Sequence, residues 1–418
     1  MALSRWRFSR RQFVAEGGLL SALASISDRL FSAEAGPAAA RPKKSANIYD
    51  RLGVRTRINA KGTYTYLTGS LVPPEVVQAM HQAAEHYVYL EELQIAAGKK
   101  IAEWLGVEAA MVTSGAAGAM TLATAACITG KDPDKIRRIP DLTGMRTEVV
   151  VQKSHRNGFD HAVRNVGVRL VEVESLEEAE QAINAATAML YYSNFAQNMG
   201  RISLEQWVAL GKKHSVPTFN DAAADVPPLS HLSDYNKMGF DLVAFSGGKG
   251  LRGPQCAGLL LGRKDLIEAA LLNSNPNEDT IGRGMKVGKE EIAGMYAAVE
   301  RYLKVNHDAE WKAWEKKLET IERSVSSIPS VRTERYVPDV ANHVPHVRVT
   351  WDQAALGLTP QECASKLEQG DPSIVCLVDE KEKGLGFTAY MMQPGDELTV
   401  ARRLRAVLVE AGKKQSQG

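Results

Sequence analysis

The sequence predicts an α/β fold, a large and mostly parallel sheet covered by helices on both faces, followed by a smaller α+β region. Three observations carry this reading. Short apolar strands alternate with helical periodicity through residues 74–262, helical spacing alone dominates 289–328, and short strands and helices interleave beyond Pro329. A chain of 418 residues also exceeds the roughly 250–300 residues at which one core stops growing, so two cores are expected.

In chain order, residues 74–105 have helical spacing and 109–113 read as a short buried strand, followed by a small-residue turn and an apolar helix. The same strand-then-helix alternation recurs at 148–151, 168–173, 188–192, 216–220 and 242–245. The run 256–262 adds a strand by a hairpin. Strands at 346–350 and 373–378, with helices at 359–368 and 397–410, build the smaller region. The expected division is a signal and linker over 1–40, a large domain over 45–295 that includes an N-terminal segment of the small one, and a linking helix with the small domain over 296–418.

Hydrophobic content of 44%, charged content of 24% and a mean hydropathy of -0.23 describe an ordinary globular protein. No apolar run reaches the ~18 residues needed to cross a bilayer. A net charge of +2 with both signs interspersed gives no footprint for nucleic acid, so a small-molecule partner is expected. Cys127, Cys256, Cys363 and Cys376 lie far apart without a Cys-x-x-Cys pair. Neither a metal site nor a redox site is suggested, and the four read as buried small apolar residues.

Ser9-Arg10-Arg11-Gln12-Phe13-Val14 precedes an apolar stretch over 17–26 and then small residues at 33–35 and 38–40. That order matches a twin-arginine export signal, with cleavage after Ala35 or Ala40 and a periplasmic destination. Asp28 and Arg29 interrupt the apolar stretch. A basic N-terminus without export function is the other reading, and it leaves the protein cytoplasmic.

In open parallel sheets, ligands bind at the carboxyl ends of the strands. Three features fall there. Thr113-Ser114-Gly115-Ala116-Ala117-Gly118-Ala119 follows a strand and opens a helix, where small residues let backbone N–H groups approach a phosphate. Tight packing also explains such a turn. Asn220-Asp221-Ala222-Ala223-Ala224-Asp225 ends a strand with a carboxylate that, if buried, needs a cation such as a protonated pyridine nitrogen. Asp221 as a helix N-cap is the alternative. Finally, Phe245-Ser246-Gly247-Gly248-Lys249-Gly250-Leu251-Arg252 sets a lysine in a glycine-rich turn directly after an apolar strand. A lysine that forms an imine and then acts as a base needs close backbone approach and a depressed pKa. A nucleotide phosphate loop would require Gly-x-x-x-x-Gly-Lys-Ser/Thr, which is missing.

The order of phosphate turn, strand-end aspartate and strand-end lysine resembles the selenocysteine-synthase-like branch of the fold type I pyridoxal-phosphate enzymes, with the aspartate-aminotransferase-like fold. The subgroup containing D-glucosaminate-6-phosphate ammonia-lyase is the nearest match. Residues 58–63, 113–119, 221–223, 246–254 and 282–291 carry it. The resemblance implies pyridoxal 5'-phosphate bound to Lys249 as a Schiff base, with Asp221 at the pyridine nitrogen, Ala223 against one ring face and His155 stacked on the other. It further implies a phosphate held by Ser114, Gly115, Ala116 and Ser246. Arg283, Lys286 and Lys289 sit where family members reach the active site, or that of a neighbouring subunit, so a homodimer or larger homo-oligomer is expected. Asn59 and Thr65 are further candidates for substrate contact.

The reaction class expected is elimination from a β-hydroxy amino acid or amino-sugar acid, in which Lys249 removes the Cα proton and a 2-oxo acid and ammonia are released. Selenocysteine-synthase-like transfer on a charged tRNA is disfavoured by the near-neutral charge, by export and by the lack of an extra N-terminal domain. Racemase, aldolase and aminotransferase chemistries share the same cofactor site. A non-catalytic binding module is disfavoured by the intact Asp221 and Lys249. Residues 386–394 hold no arginine to grip a substrate carboxylate, which leaves Arg348 or Arg283 for that task.

Overall fold

The structure is a computed structural model that describes residues 47–415. The expected export signal and its cleavage sites lie outside the described residues. The chain divides into two units, 1–55 and 56–418. In the first, Asn47 caps the one-turn helix Ile48–Arg51 by accepting the Tyr49 N–H at 2.7 Å, while Asp50 accepts the Asn47 N–H at 3.2 Å.

The second unit contains the strands β1 Arg57–Asn59, β2 Ala109–Thr113, β3 Glu148–Gln152, β4 Arg169–Val173, β5 Thr187–Ser193, β6 Thr218–Asp221, β7 Leu242–Ser246 and β8 Gly258–Gly262. After two long helices, Lys289–Lys304 and His307–Val325, come β9 Arg332–Tyr336, β10 His346–Thr350, β11 Ser373–Val375, β12 Leu377–Asp379 and β13 Gly384–Thr388.

The main sheet has seven strands in the order β2-β8-β7-β6-β5-β3-β4. From β4 to β7 the pairing is parallel, and β8 runs antiparallel to both β7 and β2. Strands of such a sheet are covered on both faces and therefore read as continuous apolar runs; all of β5 is buried. One apolar core lies between the sheet and the helices Leu90–Leu105, Leu204–His214, His231–Met238 and Lys289–Lys304. A second covers the other face and includes most of the helix Gly115–Thr129, which is buried nearly all round.

A third core joins the helix His307–Val325, the sheet β12-β13-β10-β9 and the final helix Asp396–Gln415. Trp314, Leu318, Val347, Phe387, Leu404 and Leu408 meet in it. No helix among the described residues is long and apolar enough to cross a membrane.

Two elements differ from the sequence reading. The helical stretch 74–105 is two helices, Pro74–Ala84 and Leu90–Leu105, separated by extended chain at 86–89. Tyr87, Val88 and Tyr89 there are aromatic or β-branched and exposed, so neither propensity nor packing holds a helix. The expected strand 373–378 breaks at Cys376, so that β11 pairs in parallel with β1 while β12 joins the four-stranded sheet. Cys127, Cys363 and Cys376 are buried as expected; Cys256 is exposed, in the turn that leads into β8.

Candidate active site

Strand register gathers the candidate residues at one end of the sheet. Asp221 stands opposite Ser193 on β5 and Ala244 on β7. Ser246 stands opposite Gly258 on β8, which stands opposite Thr113 on β2. Paired residues share a face and strand side chains alternate, so Asp221 and Ser246 both lie on the face covered by the helix Gly115–Thr129.

That helix begins at the phosphate turn. Gly115 has φ +67°, a conformation that favours glycine, and the Thr113 hydroxyl donates to the Gly115 carbonyl at 2.9 Å. Ser114 occupies the N-cap position without a capping hydrogen bond, so its hydroxyl and the first backbone N–H groups are available to an anion. Gly258 lets the turn settle on β8: a methyl there would lie 2.5 Å from the Gly115 carbonyl carbon and 2.9 Å from the Ala116 nitrogen.

Asp221 is 8% exposed, and its carboxylate accepts the Ala223 N–H at 3.2 Å. It forms no ion pair among the described residues. Burial raises its pKa to about 6, against a lowering by the Lys249 charge and the Ala223 bond. The N-cap alternative fails, because the next helix, His231–Met238, starts well downstream. Ala223 lies between the two strand ends, its carbonyl accepting the Ser246 N–H at 3.2 Å.

Lys249 is part-buried, and its amine makes no hydrogen bond or ion pair among the described residues. Desolvation lowers its pKa, while Asp221 and Asp225 act to raise it. Asp225 is a residue the sequence reading did not single out. It is buried, its pKa is raised by burial, and it accepts the Tyr235 hydroxyl at 3.1 Å and the Asn194 amide. The four-residue spacing of the two aspartates around three alanines was the available signal.

A buried carboxylate without a cation, an amine without a partner and an uncapped helix N-terminus at one sheet end fit the three polar parts of pyridoxal phosphate: ring nitrogen, aldehyde carbon and phosphate. The fit rests on donor chemistry and burial. It does not rest on the size of a hollow, since one of about 1020 Å³ lies against the four-stranded sheet, lined by Arg332, Trp351 and Asp379 among others, away from Lys249.

Other candidates are placed differently. His155 is wholly buried, its Nδ1 accepts the Ser193 N–H at 3.2 Å, and its ring meets Tyr192 edge-on at 4.4 Å. Burial lowers its pKa to about 4, so it is neutral at pH 7. The ring ties the turn after β3 to Ser193, Asp221's register partner. The Asn59 side chain is used within its own turn, accepting the Lys61 and Gly62 N–H groups at 3.0 and 3.1 Å. Thr65 is exposed at the start of a 3-10 turn.

Arg348 is committed to Glu334 and Asp379 at 2.7 and 2.9 Å, which removes it as a carboxylate anchor. Arg283 and Lys286 are exposed and make no ion pair among the described residues. Lys289, by contrast, is held by Glu290 and the Ala83 carbonyl.

The family model for L-seryl-tRNA selenium transferase matches residues 57–357. The chain belongs to that family. It is a fold type I, pyridoxal-phosphate-dependent enzyme. The chain is 30% identical to D-glucosaminate-6-phosphate ammonia lyase of Salmonella typhimurium, over 87% of this chain and 99% of that one. It is 31% identical to 5'-C-glycyluridine monooxygenase-decarboxylase of a Streptomyces species, over 87% and 92%. A solved structure of D-glucosaminate-6-phosphate ammonia-lyase superposes with a TM-score of 0.78 at 28% identity, covering 88% of this chain and 99% of that one.

Proposed function

We propose that this family member is an ammonia-lyase acting on a β-hydroxy amino acid or amino-sugar acid, releasing a 2-oxo acid and ammonia. The observation that carries this reading is the unpartnered Lys249 amine beside the unpaired, buried Asp221 carboxylate, in a chain that aligns over 87% of its length with an ammonia-lyase.

When bound, pyridoxal phosphate supplies an electron sink for charge developing at the substrate Cα. Asp221 holds the positive charge of the ring nitrogen in a site that excludes water. Ser114, Ser246 and the N–H groups of Gly115 and Ala116 bind the phosphate. Lys249, with its pKa depressed, takes the Cα proton at Nζ and delivers a proton to the departing β-hydroxyl. The Cα–H and Cβ–O bonds break, water leaves, and the unsaturated amino product takes up water and releases ammonia.

The exposed Arg283 and Lys286 are read as reaching the site of a second protomer in a homodimer. The twin-arginine pattern at Arg10 and Arg11 supports a periplasmic enzyme, and an unphosphorylated substrate follows from that location. Selenium transfer on tRNA is the alternative; a net charge of +2 offers little attraction for a polyanion.

The test begins with an absorption spectrum of the cofactor-reconstituted protein. A band near about 420 nm is expected for lysine-bound cofactor and should vanish in Lys249→Ala; a wild-type protein without the band would sink the reading. Ammonia and 2-oxo acid release from D- and L-hydroxy amino acids then identifies the lyase. Carbon dioxide release with oxygen uptake would instead place the chain with its Streptomyces relative, and inversion without ammonia would make it a racemase.

A further inference from the structure

The turn that carries Lys249 leans on a segment from the far end of the chain. Tyr390 follows β13, and its carbonyl accepts from Arg252 Nη2 at 2.8 Å. Its phenol lies against the backbone next to Lys249, since a methyl at Gly250 would come within 2.7 Å of Tyr390 Oη. Across the same gap stands Tyr302, at the end of the helix Lys289–Lys304.

Both tyrosines are enclosed, at 3% and 4% exposure, and both hydroxyls are buried without a hydrogen-bond partner. A buried hydroxyl left unsatisfied is costly, and two on residues lining one gap call for a common partner. They border a space of about 10 Å³ for the centre of a water-sized sphere, lined also by Pro227, Gly250, His307 and Glu310. One water needs roughly 10–15 Å³ and two or more polar partners.

Neither hydroxyl has a hydrogen-bond partner among the described residues, and Arg252, which also lines the space, is turned to the Tyr390 carbonyl. His307 Nε2 donates to the Tyr302 carbonyl at 2.8 Å, and Glu310 faces Arg301 and His307 at 3.8 and 4.0 Å.

We propose that an ordered internal water, held jointly by the Tyr302 and Tyr390 hydroxyls, props the Lys249 turn against the C-terminal segment and makes both tyrosines positioning residues for Lys249. The water completes the hydrogen bonding of two elements, the end of the helix Lys289–Lys304 and the segment after β13. Removing either hydroxyl releases the water and lets the turn shift. The amine then sits at an altered separation from Asp221.

The test uses the cofactor-loaded full chain. A high-resolution crystal structure of the wild type should show a water within hydrogen-bond reach of both hydroxyls, and an empty gap there overturns the proposal even if every variant misfolds. Tyr302→Phe and Tyr390→Phe should each shift the pH midpoint of the lysine-bound cofactor band by about half a unit or more, in the same direction. Because they share one water, the double variant should shift no further than the larger single. Unmoved midpoints, or a double shift equal to the sum of the singles, refute the shared water. Loss of the band in the wild type would instead refute the cofactor reading itself.

Discussion

At Asp221, burial works against the charge that the proposed contact with the ring nitrogen would need. Its folded pKa, about 6, lies above the usual aspartate value of 3.8, so the folded apoprotein binds the proton more tightly than the unfolded chain. The resulting stability is fully present below about pH 4 and is lost as pH rises through about 6, amounting to roughly 3 kcal/mol. Denaturant unfolding of cofactor-free wild type and Asp221→Asn at pH 4 and pH 7 should show this extra loss in the wild type alone. A parallel pH dependence in the two proteins would refute the assignment. Asp221 and Lys249 were legible in the sequence because each is framed by small residues within a few positions of a strand end. Asp225, Arg348 and Asn59 were not, because what defines them arrives later: Tyr235 and Asn194 for the first, and Glu334 and Asp379 for the second, whereas Asn59 depends on the fold of its own turn.

Among elements, the contact of β8 with the phosphate turn sets the geometry. Gly258→Ala would drive a methyl to within 2.5–2.9 Å of the Gly115 and Ala116 backbone, where only movement of the helix start relieves the overlap. Cofactor affinity should fall about tenfold or more, about 1.4 kcal/mol, in a spectrophotometric titration, with the strands intact by far-UV circular dichroism. Unchanged affinity would mean that the turn does not hold the phosphate. Alternation and strand ends in this sheet could be read from the sequence, since buried parallel strands are apolar throughout. The break at 86–89 and the division of 373–378 between two sheets could not, because local apolar periodicity carries no information about which partner a strand finds.

For the whole molecule, the exposed aromatic run at 87–89 is the feature that solvent alone does not account for. Tyr87 is 100% exposed and Tyr89 79%, with Val77 and Ile95 on the two flanking helices also exposed. On the homodimer proposed above, this surface is where the second chain would pack. Sedimentation should give the wild type twice the mass of one chain, and Tyr87→Glu with Tyr89→Glu should give single chains that bind cofactor more weakly. A monomeric wild type would remove the homodimer from the proposed function, and with it the reach of Arg283 and Lys286 into a second site.

The antiparallel β8 also fixes when the site comes into being. β2 is an edge strand whose ladder partner is β8, so the chain must be made through Gly262 before the strand carrying the phosphate turn is paired. Contacts so distant in sequence form late, after the loop between them has closed. On the ribosome, a chain at residue 250 already possesses Ser114, Asp221 and Lys249 yet has no assembled pocket. Cofactor capture therefore belongs to the last part of synthesis or follows it, and shortage of the vitamin would leave a finished chain whose buried Asp221 carboxylate lacks a cation.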